Sequence, residues 1–107
     1  MNKIDLNNKT AIITGGAQGF GFAMTKRFLD SGANVIIWDI DKKTVEQSLK
    51  KIDNPKLSAS IIDITNFEQV SQEVEKVTNN KNIDIFVNNA GITGKNTTVV
   101  EYPIDEW

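Results

Sequence analysis

The stretch Thr14-Gly15-Gly16-Ala17-Gln18-Gly19-Phe20-Gly21 holds the residue types and spacing best suited to chemistry. Gly15, Gly19 and Gly21 fall in a G-x-x-x-G-x-G spacing, after a β-rich run and ahead of an amphipathic one. Glycines there let the chain turn tightly out of a strand, bring backbone close to a ligand, and pack helix against sheet. The free N–H groups and the positive dipole end of the following helix favour an anion, and a pyrophosphate fits that demand. The tighter G-x-G-x-x-G does not occur, because Met24 stands where its last glycine would be.

Asp39 adds a second constraint. It closes an apolar run roughly 18 residues beyond Gly21, near the separation at which a carboxylate takes hydrogen bonds from an adenosine ribose. The same charge repels a 2′-phosphate, and neither Gln18 nor Ile40 supplies the positive charge that group would want. The expected cofactor is therefore NAD, preferred over NADP. Asp63-Ile64-Thr65 follows a third strand, where Asp63 is placed to accept from an adenine amino group or to serve helix entry. Asn88-Asn89-Ala90-Gly91 ends a fourth, with small and amide residues that let a flat cofactor lie against backbone or tie adjacent strands. Gly94-Lys95 is not a phosphate loop, since Asn89 rather than glycine precedes it at the needed spacing and Asn96 follows.

The 107 residues contain no Cys and no His, which removes thiol catalysis, His-based triads and Cys- or His-built metal sites, so no metal is expected. Net charge is −2, with no basic stripe, so no nucleic-acid partner is expected. Purely apolar runs reach about four residues against the roughly 20 needed to span a bilayer, so no membrane partner is expected either. The absence of Cys and of a signal-peptide pattern points to the cytoplasm.

The elements that must position these residues alternate. Residues 9–14 read as a strand, and Phe20, Ala23, Met24 and Phe28 as one helical face ended by Gly32. Residues 34–39 form a second strand, followed by a helix capped by Asp41 with face Val45, Leu49 and Ile52. Residues 57–62 form the third strand, interrupted by Ser58 and Ser60. Thr65 and Glu68 have capping-box spacing ahead of a stripe of Phe67, Val70, Val74 and Val77. Residues 83–87 form a fourth strand, the chain is polar and irregular through Thr98, and Pro103 could open a further helix. The class is α/β: a partial doubly wound, Rossmann-like parallel sheet, β-α-β-α-β-α-β, with strand order 3-2-1-4.

Taken together, the glycine stretch, Asp39, Asp63-Ile64-Thr65 and Asn88-Asn89-Ala90-Gly91 resemble the classical short-chain dehydrogenase/reductase family, as do Asp5-Leu6 and Asp105-Glu106-Trp107. The resemblance implies that Gly15, Gly19, Phe20 and Gly21, with Gln18 in the loop, line the pyrophosphate. Asp39 and Ile40 would flank the ribose, Asp63 and Ile64 the adenine, and Asn89, Ala90 and Gly91 the cofactor toward its nicotinamide. It also implies hydride transfer between NAD and an alcohol or ketone.

The catalytic residues of that family are a Tyr-x-x-x-Lys pair, and here the sole tyrosine, Tyr102, precedes Pro103 and has Glu106 four positions on. No catalytic residue is therefore assigned. Residues 1–107 read as the NAD-binding N-terminal part of a Rossmann-type domain, truncated before the catalytic segment and inactive alone. The alternative is a free-standing dinucleotide-binding module without catalysis. An open outer edge on the fourth strand is expected to allow self-association.

Overall fold

The computed structural model describes residues 5–79 and 81–89, together with the backbone of 99–101. In chain order the elements are β1 (Thr10–Thr14), α1 (Gly19–Asp30), β2 (Asn34–Asp39), α2 (Lys42–Lys51), β3 (Leu57–Ile61), α3 (Phe67–Thr78), β4 (Ile85–Asn88) and β5 (Val99–Glu101). They build one sheet in the order β3-β2-β1-β4-β5. The first four strands are parallel, with Ile12 of β1 opposite Ile36 of β2 and Phe86 of β4. The expected 3-2-1-4 arrangement is present.

The expectation of an open edge on β4 is corrected. β5 runs antiparallel along it, pairing Phe86 with Glu101, Val87 with Val100 and Asn88 with Val99. Unpaired N–H and C=O groups on an apolar strand are costly, and a nearby segment with two β-branched valines satisfies them within the chain. Three residues are too few to show a strand period in sequence. The helix that Pro103 could open lies outside the described residues.

Alternate strand residues face opposite sides of the sheet, which separates the core in two. Ile13, Val35, Ile37, Leu57 and Val87 pack under α1 and α2, with Leu29 and Val45 contributed by those helices. Ile12, Ile36, Trp38, Ile62 and Ile83 pack on the other side, where Val70, Val74 and Val77 of α3 cover them. Trp38 is fully buried with its ring edge-on to Phe86 at 5.7 Å between centroids. Among the described residues its indole N–H has no hydrogen-bond partner. The serines of β3 fit an outer strand, and Ser60 donates to Glu73 of α3 at 3.2 Å.

The helix faces depart from the apolar periods. The buried line of α1 is Gly21, Thr25 and Leu29, while Met24 and Phe28 pack beside it and Phe20 is 63% exposed. On α2 the buried residues are Val45 and Ser48, and Leu49 lies outward. Phe67 at the start of α3 is 82% exposed. Asp41 caps α2 as expected, accepting from the Thr44 N–H at 3.2 Å, and Gly32 takes a φ of 97° just past α1. The Thr65–Glu68 box does not form. Asn66 is the cap, accepting from the Gln69 N–H at 3.1 Å, because Thr65 is engaged by Asp63.

Asp84 was not singled out by its sequence pattern, yet it joins β4 to β1. Its carboxylate accepts the Thr10 N–H at 2.9 Å and its own N–H donates to the Thr10 carbonyl at 2.9 Å. Replacing Asp84 with alanine leaves the part-buried Thr10 N–H without its charged acceptor, and a loss of about 1.5–3 kcal/mol in denaturant unfolding is expected. Among the described residues, no helix is long and apolar enough to cross a membrane.

Candidate functional site

Because β1 to β4 are parallel, their carboxyl ends share one edge of the sheet. Thr14 of β1 pairs with Trp38 of β2 and Asn88 of β4, so the glycine loop, Asp39 and Asn88-Asn89 emerge side by side. Ile61 of β3 pairs with Asp39, which brings Asp63-Ile64 to the same edge. The order of strands reverses at β1, and ligands of open α/β sheets bind in the crevice beyond such a point. Ala90 and Gly91 lie outside the described residues.

The loop between β1 and α1 is held from four sides, by β2, α1, α2 and the residue after β4. Gly15, at φ 65°, donates its N–H to the Trp38 carbonyl at 2.8 Å and accepts at its own carbonyl from the Asn89 side-chain amide at 3.4 Å. The Gly16 carbonyl accepts from the Thr25 hydroxyl at 3.2 Å. The Ala17 carbonyl accepts from the Ser48 hydroxyl. Thr14 links the loop to β4: its hydroxyl accepts the Asn89 N–H at 2.8 Å and lies 3.2 Å from the Asn88 side-chain oxygen. Thr25 and Ser48 were missed in sequence, and Thr14 was quoted with the motif but given no role of its own. Hydroxyl residues falling on otherwise apolar helix and strand positions are the signal that could have found them.

Two glycines show why the motif needs them. A Cβ on Gly21 would stand 2.2 Å from the Gly15 carbonyl oxygen and 2.7 Å from the Asn89 amide nitrogen, so the first turn of α1 sits directly on the loop. Gly19 is different: its φ is 60°, and among the described residues a Cβ there would meet nothing within 4 Å. Among the described residues nothing crowds the backbone at Gly19, and the first N–H groups of a helix, which lack partners within it, are suited to meet an anion there. Phe20 at the start of α1 and Ile40 just past β2 are both exposed apolar residues.

Asp39 accepts the Asp41 N–H at 3.1 Å, which fixes its carboxylate at the end of β2. Asp63 accepts both the Thr65 hydroxyl, at 2.6 Å, and the Thr65 N–H, at 2.9 Å. These bonds hold the Asp63 carboxyl below its ordinary pKa, and the Thr44 hydroxyl and N–H do the same for Asp41. Asp63 thus serves the entry to α3. A carboxylate with a lowered folded pKa stabilises the fold above its unfolded pKa, and that contribution is lost as pH falls through the folded value. Thr65→Val removes the hydroxyl bond, and the Asp63 titration followed by NMR is expected to move upward. Among the described residues, no group of three or more acidic side chains could hold a metal.

Comparison with known proteins gives the family. The short chain dehydrogenase family matches residues 9–107. The chain belongs to the short-chain dehydrogenase family. It is 39% identical to the 3-oxoacyl-(acyl-carrier-protein) reductase FabG of Chlamydia muridarum, covering 100% of this chain and 44% of that protein. It is 36% identical to a 3alpha-hydroxysteroid dehydrogenase of Mediterraneibacter gnavus, over 95% of this chain and 42% of that one. Among solved structures, a 3-ketoacyl-(acyl-carrier-protein) reductase from Brucella melitensis complexed with NADH superposes with a TM-score of 0.74. It shares 40% identity over 82% of this chain and 36% of its own. The chain thus spans about two-fifths of the length of these short-chain dehydrogenases, and it corresponds to the N-terminal, nucleotide-binding part of their fold.

Proposed function

We propose that this chain is the NAD-binding part of an oxidoreductase that moves a hydride between NAD and an alcohol or ketone. The observation that carries the reading is the loop itself: α1 pressed against Gly15 through Gly21, a Gly19 that no described residue crowds, and Asp39 at the end of the adjacent strand. Bound NAD would supply the hydride chemistry. The chain's own residues bind and orient it. Gly15, Gln18, Gly19, Phe20 and Gly21 hold the pyrophosphate, and Asp39 with Ile40 holds the adenosine ribose. Asp63 and Ile64 flank the adenine, and Asn89, Ala90 and Gly91 follow the cofactor toward its reactive ring.

The preference for NAD over NADP rests on the Asp39 charge, and the NADH complex of the Brucella relative is in keeping with it. The cytoplasm is the proposed location, on the Cys-free composition. Residues 1–107 form one Rossmann-type unit that lacks the proton-transfer pair, since Tyr102 is followed by Pro103 and Glu106. Two measurements test the reading. Calorimetry of folded protein is expected to show NAD binding and weaker NADP binding; no heat at millimolar NAD removes it. NADH with a panel of ketones is expected to show no oxidation by this chain alone, and measurable turnover would overturn that part.

A further inference from the structure

We infer that Ser48, a helix residue outside the glycine motif, is a positioning residue for the glycine loop, and that α2 is the strut that keeps this loop in register with Asp39. The inference rests on the dinucleotide reading above and extends it to a residue that touches no cofactor. Ser48 is 3% exposed and sits where the apolar period of α2 calls for a hydrophobic residue. A buried hydroxyl is costly unless it is hydrogen-bonded, and its partner here is the Ala17 carbonyl in the loop.

A trans peptide sets its C=O and N–H in opposite directions. Anchoring the Ala17 carbonyl on α2 therefore turns the Gln18 N–H away from that helix. Thr25 does the same for the preceding peptide, holding the Gly16 carbonyl from α1. Thr25 also bonds the Gly21 carbonyl of its own helix at 2.9 Å, so its removal disturbs α1 as well. Ser48 is the cleaner probe.

The other end of α2 reaches the ribose side of the site. Asp39 accepts the Asp41 N–H, and Asp41 accepts the Thr44 N–H at 3.2 Å and the Thr44 hydroxyl at 2.8 Å. Thr44 and Ser48 are one turn apart on α2. A run of contacts thus joins Asp39 through the start of α2 to Ala17. A cavity of about 240 Å³ lies between this face and the loop, lined by Gln18, Phe22, Thr44, Gln47 and Lys51 among others. Ser48 and Ala17 both line it, so the bond between them stands at its wall.

The test compares Ser48→Ala and Ser48→Thr with the parent protein by NAD calorimetry and by amide hydrogen exchange without ligand. Ser48→Ala is expected to weaken NAD binding about threefold to tenfold, the size of one neutral hydrogen bond. Exchange should rise at residues 16–20 while β1, β2 and β4 keep their protection. Ser48→Thr, which retains the hydroxyl, should recover both. Unchanged affinity with unchanged loop exchange overturns the inference. So does a loss of protection spread evenly over the sheet, which would mark Ser48 as a packing residue only. If the parent protein takes no NAD while Ser48→Ala loosens the loop alone, the cofactor reading falls and the anchoring role stands.

Discussion

Gly21→Ala is expected to abolish measurable NAD binding and to destabilise the fold by about 1–3 kcal/mol or more. Helix propensity alone argues the other way, since alanine inside a helix is favoured over glycine by about 1 kcal/mol. The clash decides the sign. The added carbon would stand 2.2 Å from the Gly15 carbonyl oxygen, a backbone atom that cannot swing aside, and 2.7 Å from the Asn89 amide. Relief requires α1 to lift off the loop, which moves the helix N-terminus away from the place a pyrophosphate would occupy. Denaturant unfolding and calorimetry on the same preparation measure both effects. Gly19→Ala is the contrast, because it meets no atom of the described residues and pays only for a left-handed backbone, about 1–2 kcal/mol. A Gly21→Ala protein with parental stability and affinity would show that α1 does not rest on the loop as described.

Asp39→Ala is expected to weaken NAD binding by about 1–3 kcal/mol, the scale of lost charge-assisted hydrogen bonds, or roughly fivefold to 150-fold. The same change removes the negative charge that opposes a 2′-phosphate, so the difference between NAD and NADP should narrow. Global stability should change little, because among the described residues the Asp39 carboxylate bonds only to a local turn N–H, at 3.1 Å. Competitive titration with the two dinucleotides distinguishes the outcomes. Equal NAD affinity in parent and variant would remove Asp39 from the ribose site.

Much of this was legible in the sequence because the strongest signals are local. Strand runs such as Val35-Ile36-Ile37-Trp38, the glycine spacing after β1, and the Asp41 cap each depend on residues a few positions apart. The parallel order followed from alternation, and the site followed from the order. What stayed hidden was set by distant partners. Apolar periodicity counts carbon, so it passed over Thr25 and Ser48, which are buried because their hydroxyls serve loop carbonyls. It assigned inward faces to Phe20 and Phe67, which point outward at the site edge and at the start of α3. Thr65 looked like a cap until Asp63 claimed it, and Asp84 gained its role only when β1 came alongside β4. β5 is short and antiparallel, and it exists as a strand only because β4 presents an edge to it.

The sealed environment of Trp38 makes the protein its own optical sensor. An indole shut off from water emits toward the blue, and this one immediately precedes Asp39 along the backbone. With the second indole removed by Trp107→Phe, indole fluorescence excited beyond the tyrosine band would come from Trp38 alone, reporting without any attached dye on whatever disturbs the end of its strand.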